Sequence, residues 1–86
     1  MTTAKRIKEW FDEGVEDKQR WMVIICDTFD HDDYPVYFGE GQADECKKRI
    51  REAQRGVNMQ RLMEVYDLTI NKEEQFVAGT LVMNTP

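Results

Sequence analysis

The densest cluster of potentially reactive side chains is Asp27-Thr28-Phe29-Asp30-His31-Asp32-Asp33, which holds four carboxylates and the only histidine of the chain. Carboxylates at this spacing are the ligands of a hard cation such as Ca²⁺. The calcium-loop pattern nevertheless breaks off. Counted from Asp30, the third position is Asp32, but Tyr34 and Pro35 stand where a further oxygen ligand and the obligatory glycine belong. Zinc would require three or four nitrogen or sulfur ligands, and His31 alone is at hand. Asp30, His31, Asp32 and Asp33 are therefore metal-ligand candidates without a complete pattern. The plainer reading is a solvated hairpin turn, since Asp is a common turn former.

Other chemistries find less support. Cys26 closes an apolar run and Cys46 falls on the inner stripe of a helix pattern, so both read as packing thiols and not as nucleophiles. Gly39-x-Gly41 lacks the rest of any phosphate-loop fingerprint. No cofactor is implied, and the chain is not expected to be an enzyme.

Charge is more informative than any motif. The 17 acids and 12 bases give a net charge of −5. Residues 27–45 hold seven acids and no Lys or Arg, whereas residues 46–61 hold six bases and one acid. Lys47, Arg51 and Arg55 recur at helical spacing, with Lys48 and Arg49 widening the stripe. Such a stripe can bind phosphates, which makes residues 47–55 a candidate nucleic-acid surface, although the acidic chain as a whole opposes approach to a polyanion. Aromatic residues cluster beside the acids, as they do in protein interfaces. Phe29, Asp30, Asp32, Asp33, Tyr34 and Tyr37 are accordingly the candidate contacts for a protein partner.

These residues need a scaffold. Eighty-six residues allow a single domain, 1–86. Residues 3–16 read as an amphipathic helix capped by Thr3, with Ile7, Trp10, Phe11 and Val15 on one face. Residues 20–28 read as a strand with two apolar faces, Trp21/Val23/Ile25 and Met22/Ile24/Cys26, as expected of a central strand. A polar turn leads to a second strand, Tyr34 to Phe38, placed at the sheet edge by Pro35. Residues 42–55 read as a helix whose charges run acid to base along its dipole, stopped at Gly56. Residues 59–69 read as a third strand, with Leu62, Tyr66 and Leu68 on one face and Met59, Met63 and Val65 on the other. Asn71 caps a short helix over 72–78, and residues 80–86 form either a fourth short strand or a loose tail.

The expected architecture is α+β: a two-layer α-β-β-α-β domain with a three- to four-stranded sheet in the order 2-1-3. Both helices are expected on one face, leaving part of the other face for the C-terminal segment or another chain. The longest strongly apolar run, Trp21 to Cys26, spans six residues against roughly 20 for a bilayer, and no signal peptide is evident. A cytoplasmic protein away from the membrane is expected.

The runs Cys26-Asp27-Thr28-Phe29-Asp30-His31-Asp32-Asp33-Tyr34-Pro35-Val36-Tyr37 and Asn58-Met59-Gln60-Arg61-Leu62-Met63-Glu64-Val65-Tyr66 resemble small, uncharacterised single-domain proteins of bacterial and phage genomes. The resemblance implies an accessory protein of bacterial or phage origin and carries no functional residue with it. Taken together, the expected function is a small acidic protein-interaction module, in a phage setting an inhibitor of a host defence or regulatory protein. Its partner is another protein or a second copy of itself, as a homodimer. The alternatives are metal or small-ligand binding at 27–33 and nucleic-acid binding at 47–55.

Overall fold

A computed structural model describes residues 2–76 and 81–86. The chain forms helix α1 (Ala4–Glu16), strands β1 (Trp21–Asp27) and β2 (Asp32–Phe38), helix α2 (Ala43–Gln54), a 3-10 turn (Val57–Met59), strand β3 (Gln60–Asp67) and a single-turn helix α3 (Lys72–Gln75). The sheet is antiparallel in the order β2-β1-β3, within an α+β fold. Thr3 caps α1 by accepting a hydrogen bond from the Arg6 amide at 3.2 Å. Among the described residues no helix is long and apolar enough to cross a membrane.

The two helices do not share a face. Trp21, Val23, Ile25, Phe38 and Val65 pack with Cys46, Ile50 and Ala53 of α2. Met22, Ile24, Tyr66 and Leu68 pack with Trp10 and Phe11 of α1. The domain thus has three layers, with the sheet between α1 and α2, in place of the expected two. The cause lies in β1, whose side chains alternate between the two faces and are apolar on both, so each face demands its own cover. Among the described residues each sheet face is covered, with Phe76 and Val82 completing the α1 side.

Two further expectations are corrected. A bulge in the β1–β3 register between Ile24 and Ile25 sets Leu62 opposite Ile25 and Val65 opposite Val23. Leu62 therefore joins Val65 on the α2 side while Met63 joins Tyr66 on the α1 side. Simple alternation had placed them the other way, and one extra residue reverses the faces upstream of it. The C-terminal segment is not a loose tail over its described length. Val65 donates to the Val82 carbonyl at 2.8 Å and accepts from the Asn84 amide at 2.9 Å, forming a parallel bridge to β3 beside a buried Val82. The helix expected over 72–78 is observed as Lys72–Gln75, and residues 77–80 lie outside the described residues.

β1 and β2 form a hairpin, and α2 carries the chain back along the sheet. Trp21 is opposite Phe38 and Asp67, whereas Asp27 is opposite Asp32 and Gln60. The sheet consequently has two distinct ends. At one lie Arg20, Phe38 and Asp67; at the other lie the acidic hairpin turn, the end of α2 and the 3-10 turn.

Candidate functional site

The second end gathers most of the residues singled out in the sequence. Asp27 shapes the hairpin turn. Its Oδ1 accepts from the amides of Phe29 (2.8 Å) and Asp30 (3.3 Å), and its carbonyl accepts from the His31 amide at 2.7 Å. His31 adopts φ 59°, the left-handed conformation that turns the chain into β2. Asp27 is therefore occupied with backbone bonds, as Asp at a turn usually is. Asp30, His31 and Asp32 are exposed, and Asp33 is half-buried beside Cys26. Among the described residues no group of three or more His, Cys, Asp or Glu side chains gathers around a common point where a metal could sit.

The turn is tied to the chain that follows α2. The amide and hydroxyl of Thr28 both donate to the Met59 carbonyl, at 2.8 and 2.9 Å. Gly56, Asn58 and Met59 all have positive φ, at 74°, 54° and 59°. Gly56 and Asn58 adopt this conformation readily, whereas Met59, with a long unbranched side chain, does so at a cost of about 1–2 kcal/mol. The Met59 side chain is exposed, 51% accessible. Phe29, at the tip of the acidic turn, is 72% accessible. Two large apolar side chains thus stand in solvent on neighbouring loops, among carboxylates.

The basic stripe borders the same end. Lys47, Lys48 and Arg51 are exposed on α2 and Arg55 at its C-cap, and Arg49 reaches Gln60 at the start of β3 through a 2.8 Å hydrogen bond. Among the described residues none of these cations forms an ion pair within the chain; the pairs are Arg6–Glu9, Arg20–Glu40, Arg20–Asp67 and Lys72–Asp12. The acidic block and the basic stripe therefore do not neutralise each other across the fold.

Tyr34 and Tyr37 are placed elsewhere. Tyr34 is partly buried against the α2-side core, and Tyr37 packs on the α1 side with its hydroxyl donating to the Trp10 carbonyl at 2.7 Å. Three residues apart on one strand, the two point to opposite faces. Burial pushes the Tyr37 phenol up to about 12. Burial likewise pushes the Cys46 thiol up to about 11, and burial together with the neighbouring Asp33 carboxylate raises Cys26. A thiol shifted this way is mostly protonated near neutral pH and is a weak nucleophile.

The opposite end of the sheet holds a network that the sequence did not signal. Arg20 binds Asp67 through Nε–Oδ1 (3.1 Å) and Nη2–Oδ2 (3.2 Å), holds both Glu40 oxygens through Nη1 at 2.9 Å, and lies 4.8 Å over the Trp21 ring. Asp67 also accepts from the Thr69 amide and hydroxyl. Burial works to raise the Asp67 carboxyl, but the hydrogen bonds from Arg20 and Thr69 outweigh it and hold the group below its ordinary range. Next to this cluster is Gln75, a buried polar side chain with every hydrogen-bonding group used. Its Nε2 donates to the carbonyls of Asp67 (2.8 Å) and Ile70 (3.1 Å), and its Oε1 accepts from the Asp67 amide (3.1 Å) and the Asn84 side chain (2.7 Å). The signal available in the sequence was indirect: with strand order 2-1-3, an antiparallel third strand brings Asp67 opposite the start of β1, where Arg20 stands.

Comparisons with protein-family models, with curated proteins and with solved structures found no match.

Proposed function

We propose that the protein is an interaction module that binds another polypeptide through the end of the sheet formed by the acidic turn and the 3-10 turn. The observation that carries this reading is the paired display of Phe29 and Met59 in solvent, one at the tip of a carboxylate-rich loop and the other on a strained backbone. Exposed large apolar residues ringed by charge are the usual anchors of a contact surface. Unfavourable backbone geometry at a residue with no role in the core points the same way. Leu81, Met83 and Ile70 are also exposed beside Gln75, but none of them has the left-handed backbone of Met59. Both sheet faces are covered. The outer strand β2 carries Pro35, which cannot donate to an added strand.

Site-specific photo-cross-linking tests this reading. A benzophenone side chain at position 29 is expected to cross-link a polypeptide in an extract of the producing cells. The same group at position 73, exposed at the other end of the sheet, is expected to give none. Equal yields at the two positions, or no product from position 29, would overturn the proposal.

A further inference from the structure

We infer that the occupant of this end is a second copy of the same chain, docked end to end about a twofold axis. The inference rests on reading the end as a contact surface and goes on to name what covers it. Topology supplies the first argument. Gln60 lies opposite Asp27, Arg49 bonds to Gln60, and Thr28 bonds to Met59, so the acidic turn and the basic end of α2 belong to one end of the molecule. Charge supplies the second. Asp30 and Asp32 on one loop, and Arg51 and Arg55 on the helix, are exposed, and among the described residues none forms an ion pair within its own chain.

A twofold axis lying in the contact plane between the two groups sets each copy's Asp30 and Asp32 against the other's Arg51 and Arg55, so the complementarity is satisfied twice. The Thr28–Met59 bonds place the exposed Phe29 and Met59 where the two charged groups adjoin, giving the contact an apolar centre and a charged rim. Association through the strand edges is restricted. Pro35 interrupts the β2 edge, and the Val82–Asn84 segment occupies the β3 edge at Val65. One end of so small a domain buries an area at the low end of specific interfaces, below about 1,200 Å², so the association is expected in the micromolar range and weakened by salt.

Sedimentation equilibrium from roughly 5 µM to roughly 500 µM tests the inference. The weight-average mass of the unaltered chain is expected to rise from 10.2 kDa toward twice that value. The double variants Asp30→Lys/Asp32→Lys and Arg51→Glu/Arg55→Glu are each expected to stay monomeric alone, and an equimolar mixture of the two is expected to associate. A wild-type mass that stays at the monomer value throughout would overturn the inference, as would variants that associate like wild type or a mixture that does not. Far-UV circular dichroism confirms that each variant is folded. Should one not be, the concentration dependence of wild-type amide shifts decides instead: changes confined to 28–33 and 51–60 support the docking, and changes elsewhere refute it. A monomer in sedimentation combined with position-29 cross-links to a different polypeptide would refute self-association and leave the contact surface standing. The absence of both would remove both.

Discussion

The two ends of the sheet are built on different principles. At the Arg20 end every prominent polar group has a partner: a forked guanidinium bridges two carboxylates, and Gln75 satisfies four hydrogen bonds while buried. At the Phe29 end the charges form no ion pairs among the described residues, Phe29 and Met59 face water, and Met59 holds an unfavourable backbone conformation. The Arg20 end fastens β1, β3 and the C-terminal segment together, with Leu81, Met83 and Ile70 exposed beside it. The other is supported from beneath by Asp27 and Thr28 but presents groups outward. Charge is thus used in two ways: at the Arg20 end it is paired and ties segments together, and at the Phe29 end unpaired charges stand beside exposed hydrophobic groups.

The contrast can be broken most forcefully at Gln75. Gln75→Ala would strand the Asp67 amide and carbonyl, the Ile70 carbonyl and the Asn84 amide, and is expected to cost about 3 kcal/mol in urea unfolding. Gly14→Ala comes next. A Cβ there would lie 2.7 Å from Tyr37 Cε1 and 2.8 Å from Leu68 Cδ1, so these side chains or α1 itself must shift. The expected loss is about 1–2 kcal/mol after the better helix propensity of Ala is counted.

A smaller effect is expected from acid. The depressed Asp67 carboxyl contributes stability that is full above the ordinary carboxylate pKa and is lost as pH falls through the folded-state value. Arg20→Met is expected to flatten this acid limb of the stability curve, measured as unfolding midpoints from neutral pH downward. An unchanged limb would mean that the Arg20–Asp67 pair is not its source.

At the other end the same measurement should barely respond. Met59→Gly is expected to raise stability slightly, by about 0.5 kcal/mol, because glycine adopts φ near 60° without strain and offsets its own backbone entropy. Phe29→Ser is expected to lie within about 0.5 kcal/mol of wild type, since a side chain so exposed contributes little to the core.

Much of this organisation was legible in the chain. The two apolar faces of Trp21–Cys26 marked a central strand, Pro35 marked an edge, and Gly56 marked the end of α2; each is a local steric or hydrogen-bonding requirement that the fold must respect. The layer arrangement was also present in β1, whose second apolar face requires a helix of its own. What escaped was non-local or turned on a single residue. The bulge that exchanges Leu62 and Met63 has no strong sequence mark, and the Gln75 hub joins groups from three separate segments. At the candidate surface the acidic turn and Phe29 were readable, because exposed turn chemistry is local. Met59 was not, since its display depends on Thr28 across 31 residues of sequence. Tyr34 and Tyr37 were drawn in by proximity in the chain, but strand alternation sends them into opposite cores.

Whether the Phe29 end serves contact and not stability is decided by measuring both properties on one variant, Phe29→Ser/Met59→Ser. The expected result is an unfolding free energy within about 1 kcal/mol of wild type together with loss of association in sedimentation. Association retained at wild-type strength, or lost only in step with unfolding, would contradict it.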